Sequence, residues 1–88
     1  MTELEIGRIV LAKAGRDKGK AFIIVGKPSN EYVLIANGGS RTIDKPKKKK
    51  IMHLDPRPEV TVEIKEKLIT GKQVFDAEIR KSLRSLGY

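Results

Sequence analysis

Apolar residues open the chain in three short blocks: Ile9-Val10-Leu11-Ala12, Phe22-Ile23-Ile24-Val25 and Tyr32-Val33-Leu34-Ile35-Ala36. Each is four or five residues long and rich in β-branched or aromatic side chains, which favours strands over helices. The connectors agree. Ala14-Gly15-Arg16-Asp17-Lys18-Gly19-Lys20 joins the first two blocks, Lys27-Pro28-Ser29-Asn30-Glu31 joins the second pair, and Asn37-Gly38-Gly39-Ser40 follows the third. All three are dense in turn formers. Arg41-Thr42-Ile43 is the expected fourth strand and Ile51-Met52-His53-Leu54 the fifth. Short strands linked by tight turns point to a small antiparallel barrel rather than a crossover sheet.

The three blocks are apolar on both faces, whereas a strand with one face in water should alternate. Val10 and Ala12 can fill a barrel while Ile9 and Leu11 need cover on the other side. The C-terminal stretch is the expected cover. Asp55-Pro56-Arg57-Pro58 is expected to end the barrel, since neither proline can donate to a ladder. Beyond it, Ile64 and Leu68 lie four apart in Val62–Ile69, a helical spacing, with Gly71 as the left-handed residue after the last turn. Alternation of Val60, Val62 and Ile64 makes an extended start the competing reading. Asp76 is the expected N-cap of a second helix, with Ile79, Leu83 and Leu86 as its apolar stripe and Gly87 closing it. Helices this short are marginal alone, so they are expected to dock on the barrel. The expected organisation is a barrel over residues 6–56 and a helical appendage over 57–88, in one compact unit.

Charge changes the picture more than composition does. The 88 residues carry 19 Lys or Arg against 11 Asp or Glu, a net charge of +8. The excess is concentrated: residues 1–58 hold thirteen cations and six anions, and residues 59–88 hold six and five. The densest run is Lys45-Pro46-Lys47-Lys48-Lys49-Lys50, and a milder cluster gathers Lys13, Arg16, Lys18 and Lys20 around Asp17. A solvated, solubilising loop is the plain reading of a lysine run. Two clusters beside a near-neutral tail favour a polyanion partner, because concentrating like charge costs self-repulsion.

The glycine segment fails as a P-loop. Three residues rather than four separate Gly15 from Gly19-Lys20, and Ala21 stands where a metal-ligating hydroxyl belongs. In its strand-loop-strand setting it resembles a KOW motif instead. More broadly, Ile6 to Pro56 is similar to the KOW-containing ribosomal proteins of the archaeal and eukaryotic large subunit, the fourteen-e type. The similarity is carried by Ala14-Gly15-Arg16-Asp17-Lys18-Gly19-Lys20, by Tyr32-Val33-Leu34-Ile35, and by the basic stretch leading into Lys50-Ile51-Met52-His53-Leu54-Asp55-Pro56. The resemblance implies an SH3-like barrel whose loops contact ribosomal RNA. It also implies RNA contacts for Gly15, Arg16, Lys18, Gly19 and Lys20, and for Arg41 with Lys47, Lys48, Lys49 and Lys50; the basic clusters add Lys13 and Lys45. Physically, glycines let backbone N–H groups approach a phosphate, and Arg16 can grip phosphate bidentately or stack on a base.

Other chemistries find little support. Without cysteine there is no thiolate zinc site, disulfide or thiol nucleophile, and one histidine, His53, supplies no second imidazole. Ser29, Ser40, Ser82 and Ser85 have only His53 as a base, so no catalytic site, metal or cofactor is expected. His53 is read as a satisfied structural residue. Phe22 and Phe75 are read as core, and Tyr32 as barrel wall, with a base-stacking face as its alternative. Met1 to Glu5 lacks a secretory layout and no run is long enough to span a membrane. The expectation is a monomeric, cytoplasmic, non-enzymatic binder of structured, ribosomal RNA, whose C-terminal helices could meet a ribosomal or other protein. The alternatives are a protein-interaction module of a transcription or translation assembly, and a DNA binder.

Overall fold

A computed structural model describes residues 4–88, so Met1 to Glu3, and with them most of the N-terminal leader reading, lie outside the described residues. Five strands form one antiparallel sheet: β1 (Arg8–Ala12), β2 (Ala21–Gly26), β3 (Tyr32–Ala36), β4 (Lys47–Lys50) and β5 (Leu54–Val60), in the order β4-β3-β2-β1-β5. Two helices follow, α1 (Val62–Ile69) and α2 (Asp76–Ser85). A single 3-10 turn, Ile51–His53, carries the chain from one edge strand to the other, and the Lys13 N–H donates to His53 C=O at 2.9 Å. The sheet therefore curls into a small barrel-like domain. None of its helices is long and apolar enough to cross a membrane.

The double apolar faces are explained by two cores. Inside the curl, Val10, Ala12, Phe22, Ile24, Val33, Ile35 and Leu54 pack together. The alternate positions Ile9, Ile23 and Ala36 point outward and meet Ile64, Val74, Ile79 and Leu83 from the helical segment. A period of two thus distributes each block between two layers, and the helices supply the cover that the strands require. Thr61, the buried polar residue between β5 and α1, is satisfied: its N–H and its hydroxyl both donate to Gly7 C=O at 2.8 Å.

Two expected strands lie elsewhere. Arg41–Ile43 is a loop, because tertiary partners occupy its backbone groups. The N–H groups of Asn37 and Gly38 donate to Arg41 C=O, the Asn37 amide oxygen accepts from Gly39 and Arg41 N–H, and Asp76 Oδ1 accepts from Ile43 N–H at 2.8 Å. The fourth strand is instead the lysine run, which pairs with β3 from Tyr32↔Lys50 to Ile35↔Lys47. Ile51–His53 forms the 3-10 corner, and the fifth strand starts at Leu54. Asp55–Pro58 does not end the sheet. β5 continues to Val60 and tolerates Pro56 and Pro58 because it is an edge strand paired only with β1.

Both helices take the expected positions, α1 with the expected bounds and α2 with different ends. Val60 finishes β5 and Val62 begins α1, so the extended and helical readings each hold for part of the segment. Gly71 takes φ +75° after the last turn of α1, and Lys72 N–H donates to Lys67 C=O at 2.8 Å. At α2 the N-cap position falls to Phe75, whose N–H donates to the Glu78 carboxylate at 2.8 Å; Asp76 is the first helical residue and caps the Arg41–Ile43 loop instead. Phe75 is 57% exposed, so it is not core, and Leu86 lies beyond the helix on the surface. His53 is exposed and contributes through its backbone. α2 approaches the β3–β4 loop so closely that a Cβ on Gly38 would collide with the Asp76 carbonyl and the Arg80 side chain, at a φ of +76° that already disfavours other residues.

Ion pairs tie the helices to the rest. Glu5 bridges Arg8, at 2.9 Å, and Lys65 of α1, while Lys67 of α1 pairs with Glu78 of α2. Hydrogen bonding from Lys65, reinforced by the charges of Lys65 and Arg8, holds the Glu5 carboxyl below the usual carboxylate range. Lys67, with the Phe75 N–H, does the same for Glu78. Depressed folded-state values mean that these contributions are complete above the unfolded carboxylate pKa of about 4.3 and fade as pH falls through the lower folded values. The thermal midpoint, followed by circular dichroism, is expected to be flat from about pH 7 to 5.5 and to drop below about pH 4. A Glu5→Gln/Glu78→Gln variant should show a shallower acid drop; an identical drop would place the acid sensitivity in other groups.

Candidate nucleic-acid interface

The glycine segment forms the β1–β2 hairpin loop. Its closing bonds run from Ala12 N–H to Lys20 C=O (3.1 Å) and from Gly19 N–H to Ala12 C=O (2.8 Å), with Gly15 and Gly19 at φ +82° and +86°. Arg16, Lys18, Gly19 and Lys20 are exposed around this frame, as is Lys13 at its base. Asp17 organises it: its carboxylate accepts from Arg41 at 3.3 Å and lies 3.8 Å from the Lys20 ammonium. The β3–β4 loop is thereby fixed to the glycine loop across 24 residues of sequence.

Pairing of the lysine run with β3 sorts its cations by face, since residues directly opposite share a face. Lys47 and Lys49 stand opposite Ile35 and Val33, on the barrel-interior side at the open edge. The Lys49 stem is half-buried and its Nζ reaches the glycine loop, 3.5 Å from where a Cβ on Gly15 would sit. An aliphatic stem over the core with its ammonium in water is the usual compromise for such a position. Lys48 and Lys50 share the opposite face with Tyr32, and Lys48 Nζ lies 4.7 Å from the Tyr32 ring centroid. Tyr32 is half-buried: part of the wall, with its ring face engaged by a cation. Lys45 is exposed beyond the Thr42 turn, its N–H donating to the Thr42 carbonyl and hydroxyl.

Three basic segments distant in sequence therefore meet: Arg16–Lys20, Arg41 and, through Lys49, the lysine strand, on whose same face Lys47 stands. Lys48 and Lys50 are directed away from that meeting point. Among the described residues, Arg16, Lys18 and Lys47 to Lys50 form no ion pair, so their charge is uncompensated. Sequence reading missed Arg80 and Arg84. They follow each other at helical i, i+4 spacing beside the Ile79–Leu83 stripe, a signal obscured by the near-neutral charge of the tail as a whole.

No protein-family model matches the chain. Individual proteins do. A large ribosomal subunit protein eL14 from Metallosphaera sedula is 33% identical over 87 residues, covering 99% of this chain and 83% of that protein. The eL14 of Staphylothermus marinus is 35% identical over the same span, and that of Desulfurococcus amylolyticus is 41% identical over 56 residues. The similarity does not stop near Pro56, where the sequence motifs end; in the first two it runs through both helices. Identity at that level over nearly the whole chain is decisive: the chain belongs to the eL14 family of large ribosomal subunit proteins.

Proposed function

We propose that this protein is a non-enzymatic RNA-binding component of the cytoplasmic large ribosomal subunit, acting as a single copy that captures structured ribosomal RNA by its phosphate backbone. The glycine loop, with Gly15 and Gly19 opening its backbone and Arg16, Lys18 and Lys20 around it, holds one stretch of phosphates. Arg41, Lys45 and, from β4, Lys47 and Lys49 continue the track, Lys13 extends it at the base, and Lys48 and Lys50 on the opposite face of the strand offer a second run of charge beside Tyr32. The observation that carries this reading is the convergence at the loop, where the Lys49 ammonium reaches Gly15 and Asp17 anchors Arg41. Family membership supports the ribosomal destination. Positioning by phosphate contacts with little base reading is what a surface of lysines and backbone amides can do.

Fluorescence anisotropy of a structured ribosomal RNA fragment, a single-stranded RNA and a duplex DNA, each across a salt series, tests it. With about five phosphates engaged, log affinity should fall with log salt at a slope near −3.5 to −4.5. The structured RNA should bind best. A flat salt response, or equal binding of duplex DNA, would overturn the reading and favour respectively a protein partner or general polyanion attraction.

A further inference from the structure

A second feature lies on the α2 side of the glycine loop. Here the end of the loop and α2 border an open groove of about 620 Å³. Its apolar floor is made by Leu11, Ala21 and Leu83, and its walls carry Lys20, Arg84 and Tyr88. Arg80 closes one end, held by donation to Gly38 C=O at 2.5 Å, and Tyr88 is held by donation of its hydroxyl to Glu59 at 2.8 Å. No Asp or Glu side chain lines the groove, and among the described residues Arg80 and Arg84 form no ion pair. The near-neutral tail has thus segregated its charge: Lys65 and Lys67 are spent on Glu5 and Glu78, while the α2 arginines face the loop uncompensated.

An apolar floor, an aromatic edge and unpaired cations together match the parts of one nucleotide. A phosphate needs the cations, and an unstacked base needs a flat apolar or aromatic surface. A paired, stacked helix would offer this groove only its backbone and leave the floor unused. We propose that the groove between the glycine loop and α2 receives an unpaired nucleotide of the bound RNA, with its phosphate on Lys20 and Arg84 and its base over Leu83 against Tyr88. This rests on the RNA-binding reading above and adds a base-accepting site to a surface otherwise built for backbone.

The test uses the full chain and two probes, a single-stranded adenosine hexanucleotide and a short blunt RNA duplex. In ¹⁵N-resolved NMR titrations, the hexanucleotide is expected to shift the amides of Gly19, Leu83, Arg84 and Gly87. Arg84→Gln and Tyr88→Ala, each first checked for a native spectrum, should weaken hexanucleotide binding by about 5- to 10-fold and duplex binding by less than about 2-fold. Hexanucleotide binding with shifts confined to Arg16–Lys18 and β4, or equal losses on both probes, would overturn the groove while leaving the RNA-binding reading intact. Failure of the wild-type chain to bind either probe would overturn the groove, and the RNA-binding reading would fall with it only if the structured ribosomal RNA fragment were not bound either.

Discussion

Replacing Ile79 with alanine is expected to lower the unfolding free energy by about 2–5 kcal/mol, a large share of the ~5–15 kcal/mol available to a domain of this size. Ile79 is fully buried where α2 meets Ile9, Ile23 and Ala36 on the outer face of the sheet. Its removal leaves a hole between two elements that cannot easily collapse, because Leu83 and Val74 are fixed on either side and Arg80 pins α2 to Gly38. The comparison that makes the experiment informative is Phe75→Ala. Phenylalanine is the larger residue, yet Phe75 is 57% exposed at the N-cap position, and its substitution is expected to cost no more than about 0.5 kcal/mol. Urea or thermal denaturation of both variants measures the difference. Equal losses would mean that α2 is not docked through its apolar stripe, and that the outer face of the sheet is covered in some other way.

Those two residues also mark what was legible in the sequence. Ile79 could be found because helical periodicity isolates it on one stripe, and the need for such a stripe could be read from strands apolar on both faces. The left-handed glycine after α1 was equally local, a matter of one residue's backbone freedom. What escaped depended on long-range partners. Arg41–Ile43 has the composition of a short strand, but Asn37 and Asp76 capture its backbone groups, and Asp76 is 33 residues or more away. Lys47–Lys50 has no strand propensity to speak of and becomes a strand because β3 offers it an edge. Phe75 looked like core on size alone, and only the position of α2 leaves it in solvent.

For the candidate interface the difference is one of geometry rather than identity. Composition marked the two basic clusters, but read as a loop the lysines form a single undivided patch. Strand pairing splits them. Lys49 joins the glycine loop and Lys48 turns to Tyr32. Arg80 and Arg84 were hidden by averaging over a tail in which Asp76 and Glu78 are engaged by Ile43 and Lys67 rather than by these arginines.

Removing Arg16, Lys18 and Lys49 together, each to glutamine, is expected to weaken binding of a structured ribosomal RNA fragment on the order of 10²-fold at 150 mM salt and to flatten the salt slope by about 2 to 2.7. Arg16 and Lys18 lie in the β1–β2 loop and Lys49 in β4; they stand around Gly15 and form no ion pair among the described residues, so their loss breaks no ion pair that holds the fold. A matched variant removes Lys27, Lys72 and Lys81, exposed cations placed away from the loop, and lowers the net charge by the same three units. If attraction arose from the overall charge of +8, both variants would lose affinity alike. If binding depends on cations held in register with a phosphate track, the matched variant should lose no more than about 3-fold, the part due to long-range steering that salt screens over roughly 8 Å. Anisotropy titrations of both variants against the same RNA separate the two cases. Equal weakening would remove the glycine loop from the binding surface, whatever the family of the protein, whereas the expected disparity would place RNA contact at the point where Lys49 and Arg41 converge on it.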